Sequence, residues 1–148
     1  MLALFRYVRG RKLRKRRVDL QRKQKEIPIN IIFKDEGKMK RKMSGKIKII
    51  LDEVKKYLEK IYGDKLKGII LYGSYARGDF TDGSDIDLII LLEDMEEPVA
   101  EREKYFNKIW ELDLKYDTVI SIIPFKEKDY RLRKLPVILN AKREGVFL

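Results

Sequence analysis

The sequence of 148 residues contains no cysteine and no histidine. The lack of cysteine excludes disulfide bonds and thiolate metal sites. The lack of histidine excludes a Ser-His-Asp triad, a histidine general base and a histidine-ligated zinc ion. A metal ion in this protein must therefore be a hard cation bound by oxygen atoms, and we expect Mg²⁺ or Mn²⁺.

Long apolar runs are missing as well. No run approaches the ~18 residues that are needed to span a membrane. The apolar start of the chain, residues 1–8, comes before the basic segment, which is the wrong order for a signal peptide. We therefore expect a cytoplasmic protein without a membrane partner, with one domain large enough for a hydrophobic core.

Positive charge is concentrated at the start of the chain. The formal net charge is +11, but residues 1–46 hold 17 Lys and Arg against 4 Asp and Glu, whereas residues 47–148 hold 18 against 20. Like charges repel and stay solvated, so we expect residues 1–44 to form a flexible basic arm. Two alternatives are a nucleic-acid or membrane-surface tether, and an upstream start preceding Met39 or Met43. The nearly neutral remainder does not require nucleic acid as a partner.

Residues 45–148 predict an alternation of helices and strands. Helical spacing of apolar residues predicts a helix over residues 45–62, and its expected buried stripe is Ile47, Ile50, Leu51, Val54, Leu58 and Ile61. Short apolar runs predict strands over residues 67–72, 86–92 and 116–124. A second helix is predicted over residues 99–114, with a buried stripe of Tyr105, Phe106, Ile109 and Trp110. The tail, residues 126–143, reads as helical with a break at Pro136.

The stretch with the clearest chemical meaning joins the first two predicted strands. It consists of a Gly73-Ser74 turn, a polar connection, and a strand that opens with Asp85-Ile86-Asp87. Successive strand side chains alternate between faces, so Asp85 and Asp87 point to the same side while Ile86 points into a core. Two carboxylates beside a turn that can cradle phosphate predict a site for a divalent metal ion and a nucleotide.

Gly73-Ser74, ten further residues and then Asp85-x-Asp87 resemble the Gly-Ser-x10-Asp-x-Asp pattern of the minimal nucleotidyltransferases. This group belongs to the DNA polymerase beta-like nucleotidyltransferase superfamily. Asp117, at the head of the next predicted strand, is similar to the third carboxylate of the family, and the C-terminal LPVILNAKREGVFL is similar to its tail. The resemblance covers residues 45–148. It implies an α/β (α+β) fold, in which a small mixed β-sheet has helices packed on one face.

The resemblance also implies a reaction, the transfer of a nucleoside monophosphate from ATP by a two-metal mechanism. It makes Asp85 and Asp87 the catalytic residues, and these two with Asp117 the ligands of two Mg²⁺ ions, with Mn²⁺ as an alternative. The residues that it implies for nucleotide binding are Gly73, Ser74 and Arg77. Two alternatives remain open. Arg77 could pair only with Asp79 or Asp82, and Asp117 could be a water-exposed acid at the start of a strand.

The expected acceptor lies on another chain, because residues 45–148 leave no room for an acceptor-binding domain. Minimal nucleotidyltransferases are typically paired with a small helical HEPN protein, a toxic ribonuclease, and they adenylylate one of its tyrosines. The leading hypothesis is therefore a protein adenylyltransferase that acts as the antitoxin of a HEPN/MNT toxin–antitoxin pair. The alternatives are a subunit of a small-molecule nucleotidyltransferase of the aminoglycoside type, and a non-catalytic nucleotide-binding antitoxin that acts by occlusion.

Overall fold

The computed structural model describes residues 45–148, and the predicted basic arm lies outside this range. In chain order the elements are helix α1 (Gly45–Tyr62), a 3₁₀ turn (Gly63–Lys65), strand β1 (Leu66–Tyr72), helix α2 (Ser74–Arg77), strand β2 (Ile86–Leu92), helix α3 (Pro98–Tyr116), strand β3 (Ile120–Lys126), helices α4 (Glu127–Leu132) and α5 (Pro136–Glu144), and strand β4 (Val146–Phe147). No helix within residues 45–148 is long and apolar enough to cross a membrane.

The strands form one mixed sheet in the order β3-β2-β1-β4. Strand β1 runs antiparallel to both β2 and β4, while β2 runs parallel to β3. Strand β2 has a neighbour on each side, and six of its seven residues are buried, which explains why it reads as an apolar run rather than as an alternating one. The structure thus confirms the predicted fold class.

Helices α1 and α3 cover one face of the sheet. Ile50, Val54 and Leu58 of α1 are fully buried against side chains such as Leu88 and Ile90 of β2. On the opposite side of the strands, side chains such as those of Ile70, Ile89 and Leu91 are also buried. There α4 contacts β2 and β3, and α5 contacts β1. Helices thus cover both faces of the sheet, rather than the single face that was expected, and shield the central strand from water.

The buried side of α3 differs from the predicted one. Phe106 and Trp110 are 60% and 56% exposed, and their rings stack on each other with centroids 6.4 Å apart. Tyr105 and Ile109 are buried as predicted, and Glu101 and Leu112 complete the buried side. The prediction was wrong for the two exposed rings because each follows a buried residue by one position, which is about 100° around the helix. In α1 the end of the stripe is also exposed, since Ile61 is 37% exposed.

A buried carboxylate explains part of this orientation. Glu101 is 2% exposed, and its two oxygens accept hydrogen bonds from Lys104 Nζ and from the Tyr62 hydroxyl, each at 2.9 Å. A buried charge is tolerated when it is paired and hydrogen-bonded. These contacts tie the first turns of α3 to the end of α1.

The third strand begins later than predicted. Helix α3 continues to Tyr116, and Asp117 ends it in the left-handed conformation with φ 46° and ψ 63°, its N–H bonded to the Asp113 carbonyl. Strand β3 then starts only at Ile120. Asp117 therefore lies at the end of a helix and not at the head of a strand.

Candidate functional site

The turn after β1 depends on Gly73. Its backbone has φ 75° and ψ −153°, a region that is essentially restricted to glycine. The Gly73 carbonyl accepts a hydrogen bond from the Arg77 N–H at 3.0 Å, which closes the single turn of α2. Gly78, at φ 82°, then ends this helix. The sequence therefore turns sharply at both ends of the Ser74–Arg77 segment.

Gly73 also lies directly against the second carboxylate of the acid pair. A Cβ atom placed on Gly73 would stand 2.5 Å from Oδ2 of Asp87, nearer than real Cβ contacts come. The lack of a side chain thus lets the backbone of the turn and the carboxylate share one small space. A residue with a side chain at position 73 would collide with Asp87.

Asp85 and Asp87 occupy the positions that the strand alternation predicts. Asp85 is exposed just before β2, Asp87 is half-buried within it, and Ile86 between them is fully buried. Burial raises the pKa of Asp87, the charge of Asp85 raises it further, and the charge of Arg77 opposes this. The pair therefore concentrates negative charge at the edge of a low-dielectric core, where a cation would compensate it.

Two uncharged side chains flank Asp87 in the sheet. Tyr72 of β1 is its antiparallel partner and Ser121 of β3 is its parallel partner, so all three side chains lie on one face. Burial raises the pKa of the Tyr72 hydroxyl, and the charge of Asp87 adds to this effect. The sequence reading did not identify these neighbours as site residues because strand register is not visible in a single sequence.

Arg77 connects the turn to the C-terminal part of the domain. Its guanidinium forms ion pairs with Asp79 through Nε at 3.1 Å and with Glu144 through Nη1 at 2.9 Å. The Glu144 side chain is only 12% exposed, whereas that of Arg77 is 45% exposed. The pairing with Asp79 was one of the alternatives that the sequence left open. The pairing with Glu144 joins residues 67 positions apart and had no sequence signal.

The loop that carries Asp85 is held by local contacts. The Thr81 N–H donates to Ser84 Oγ at 2.8 Å, and the Ser84 N–H donates to the Thr81 carbonyl at 3.0 Å. Before this turn, the ring of Phe80 stacks on the buried ring of Tyr75, with centroids 4.5 Å apart. These contacts fix the path of the polar connection between α2 and β2.

The third predicted carboxylate is placed differently from the first two. Within residues 45–148, no group of three or more acidic side chains is close enough together to hold a metal ion. Asp113, four residues before Asp117 in α3, interacts electrostatically with Asp85. Burial raises its pKa, a hydrogen bond from the Ile120 N–H opposes this, and the charge of Asp85 raises it again.

A family comparison identifies the domain to which this geometry belongs. Residues 51–144 match the model of the nucleotidyltransferase domain. The matched segment contains the Gly73 turn, the acid pair and the Arg77–Glu144 link, so it includes every element of the site described above.

Curated relatives are similar to somewhat more than half of the chain. A protein of Methanocaldococcus jannaschii named "Putative protein adenylyltransferase" is 42% identical over 78 residues, which is 53% of this chain and 78% of the relative. A second protein of that organism with the same name is 34% identical over 87 residues, 58% of this chain and 59% of the relative. Among solved structures, a toxin–antitoxin with AMP-PNP is similar at a TM-score of 0.47 and 22% identity, covering 70% of this chain and 72% of that chain.

Proposed function

The chain belongs to the nucleotidyltransferase domain family, and from this premise we propose that it transfers AMP from ATP to a hydroxyl group of a partner protein. The observation that carries the proposal is the contact of the Gly73 backbone with Asp87, beside Asp85. A backbone turn beside two carboxylates supports a site for a metal-bound triphosphate. The names of the curated relatives support a protein as the acceptor.

The residues of the pair fit a divalent cation. Asp85 and Asp87 supply only carboxylate oxygens, and a chain without cysteine or histidine offers oxygen as its main ligand, which Mg²⁺ and Mn²⁺ prefer. Asp85 and Asp87 would hold the ion. When bound, Mg²⁺ neutralises phosphate charge and orients the reacting phosphate.

The transfer itself requires positioning more than covalent chemistry from the protein. The acceptor oxygen forms a bond to the α-phosphorus, the bond from that phosphorus to the bridging oxygen breaks, and pyrophosphate leaves. The hydroxyl proton passes to a carboxylate of the site or to water. Ser74 would donate a hydrogen bond to a terminal phosphate oxygen. Arg77 would have to exchange or share its contacts with Asp79 and Glu144 to bind phosphate.

A second metal ion needs a third carboxylate, for which we propose Asp117. Its position at the end of α3 requires a movement toward the pair when the nucleotide binds. The stoichiometry of Mn²⁺ binding in the presence of a non-hydrolysable ATP analogue tests this: two ions for the native chain and one for Asp117→Asn are expected. A single ion on the native chain would remove Asp117 from the site.

We further propose that the acceptor is a tyrosine of a HEPN toxin and that the chain is the antitoxin of such a pair. This part rests on the sequence resemblance to minimal nucleotidyltransferases. The test is incubation of the chain with α-labelled ATP, Mg²⁺ and a HEPN protein as the candidate acceptor. We expect label on a toxin tyrosine.

Variants separate the possible outcomes of this experiment. Asp85→Asn and Asp87→Asn should abolish labelling, whereas Asp82→Asn, in the exposed loop just before the pair, should label like the native chain. Tight complex formation without label would instead indicate an antitoxin that acts by occlusion. Label on an aminoglycoside and none on the protein would indicate a small-molecule transferase.

A further inference from the structure

A hydrogen-bonded chain leads from helix α3 to the acid pair. Oδ1 of Asp113 accepts a hydrogen bond from the Ile120 N–H at 2.9 Å. The carbonyl of Val119, which belongs to the same peptide group, accepts a hydrogen bond from the Ile86 N–H at 2.8 Å. The Ile86 N–H in turn belongs to the peptide group that joins Asp85 to Ile86.

Asp113 also holds the connection between α3 and β3 through its main chain. Its carbonyl accepts hydrogen bonds from the N–H groups of Asp117 and Thr118, the latter at 3.2 Å. The main chain and side chain of Asp113 together therefore accept hydrogen bonds from three of the four residues 117–120.

These hydrogen bonds orient the peptide group between Asp85 and Ile86, and the orientation of this group sets the direction of the Asp85 side chain. The bond from Ile86 to Val119 is the first rung between β2 and β3, and Asp85 lies just outside the sheet on its exposed side. The Asp113 side chain supplies the acceptor for the Ile120 N–H, and successive peptide hydrogen bonds polarise one another. Without the hydrogen bond from Ile86 to Val119, the start of β2 would fray and Asp85 would lose its fixed position.

We propose that Asp113 is a positioning residue for the acid pair: its carboxylate fixes the Val119–Ile120 peptide group, which fixes the Asp85–Ile86 peptide group and hence the direction of the Asp85 side chain. The inference rests on the proposed function, because it takes Asp85 and Asp87 as the metal-binding pair. Asp113 itself touches neither metal nor substrate in this role.

Mn²⁺ binding to the full chain, followed by electron paramagnetic resonance of the free ion, tests the role. Asp113→Leu removes the acceptor at similar volume, and Asp113→Asn keeps an Oδ1 that can still accept from the Ile120 N–H. Because residues that orient metal ligands are worth about 10- to 100-fold in metal affinity, we expect at least about tenfold weaker Mn²⁺ binding in Asp113→Leu. Asp113→Asn should bind close to the native affinity.

Glu111→Ala, at an exposed position of the same helix, is the matched control and should bind as the native chain does.

Amide hydrogen exchange distinguishes a local effect at the start of β2 and β3 from a general loss of stability, which would speed exchange at all amides of the sheet. In Asp113→Leu, the amides of Ile86 and Ile120 should exchange faster, while the amide of Ile90 in the middle of β2 should keep its native protection. If Asp113→Leu does not fold, Asp113→Glu replaces it, because it keeps the charge but displaces the carboxylate by one methylene group. Weaker Mn²⁺ binding by folded Asp113→Glu supports the proposal.

Three results would overturn the proposal. Native Mn²⁺ affinity in a folded Asp113→Leu or Asp113→Glu chain removes the positioning role and leaves the proposed function intact. Equal loss of affinity in Asp113→Asn and Asp113→Leu shows that charge, and not the hydrogen bond, is what matters. Failure of the native chain to bind Mn²⁺ overturns the metal site of the proposed function and the positioning role with it.

Discussion

A Cβ atom on Gly73 would stand 2.5 Å from Oδ2 of Asp87, so the turn after β1 and the carboxylate on β2 are fitted to each other. The same residue has φ 75° and ψ −153°, which other residues rarely adopt. Gly73 is thus required for two independent reasons, one in the backbone and one in the site. A substitution there should affect both stability and binding.

Gly73→Ala is expected to lower the free energy of unfolding by at least about 1–3 kcal/mol, since a residue with a side chain in this backbone region costs that much. It should also abolish ATP-dependent transfer, because the new methyl group displaces Asp87. Urea unfolding and the labelling reaction measure the two effects. Gly83→Ala is the control: its Cβ would have nothing within 4 Å, and its stability should stay within about 0.5 kcal/mol of native. Native activity in folded Gly73→Ala would show that the close approach is not needed.

Asp87→Asn should separate stability from function. The charge of Asp87 is disfavoured in the folded protein by burial and by the charge of Asp85, so its removal should raise the metal-free stability, by less than about 1 kcal/mol because solvent screens this half-buried group. Added Mg²⁺ should stabilise the native chain, because it binds the folded state, and should not stabilise the variant. Thermal unfolding with and without Mg²⁺ measures both. Lower metal-free stability in the variant would contradict this electrostatic account.

The placement of Asp85 and Asp87 on one side of the strand could be predicted because its signal is local. Alternation in a strand places Asp85 and Asp87 on one side, and the bounds of β2 agree with the prediction over residues 86–92. Helix α1 was predicted with its observed bounds for the same reason, since its apolar spacing is strong. The start of β3 was predicted wrongly, because Thr118 and Val119 are residue types that favour strands. The left-handed conformation of Asp117, which ends α3 just before them, is not visible in the sequence.

Long-range contacts account for what the sequence could not reveal. The contacts of Arg77 with Glu144 and of Asp113 with Ile120 depend on how helices are placed against the sheet. Periodicity also allows several apolar stripes on α3, and packing selects one of them. The sequence therefore predicts the charged residues of the candidate site, whereas only the tertiary structure shows which residues form hydrogen bonds around them.

Arg77 and Glu144 should have separable roles. Arg77→Ala is expected to weaken ATP binding about tenfold or more, because a hydrogen bond between charged groups contributes about 1.5–3 kcal/mol. Glu144→Gln should lower stability by only about 0.5–1 kcal/mol, since its partner is half-exposed and solvent screens the pair, and should not weaken ATP binding. Calorimetric titration with ATP and urea unfolding measure these effects. Unchanged ATP affinity in Arg77→Ala would assign Arg77 a purely structural role in linking α2 to α5.

The buried Glu101 should make stability depend on acidic pH. Burial raises its pKa, but the hydrogen bonds from Lys104 and Tyr62 outweigh this, so the pKa in the folded protein lies below the ordinary value of 4.5. A depressed pKa means that the contribution of Glu101 is fully present above the unfolded pKa and is lost as the pH falls through the folded pKa. At pH 7, Glu101→Gln should be less stable by about 1–3 kcal/mol, and the difference should vanish in strong acid. Urea unfolding across this pH range tests the sign, with the exposed Glu103→Gln as a control that should follow the native curve.

The orientation of α3 can be tested by substitutions on its exposed and buried sides. Trp110 is 56% exposed and Leu112, two residues later, is fully buried. Trp110→Gln should therefore change the free energy of unfolding by no more than about 0.5 kcal/mol, as surface substitutions do. Leu112→Ala should cost about 2–5 kcal/mol, because it leaves a cavity in the core. Apolar periodicity alone predicts a large loss for Trp110. If urea unfolding, followed by circular dichroism, shows a loss of several kcal/mol for Trp110→Gln and little for Leu112→Ala, the helix is turned the other way. In that case the hydrogen bonds of Glu101 with Tyr62 and Lys104 cannot form as described.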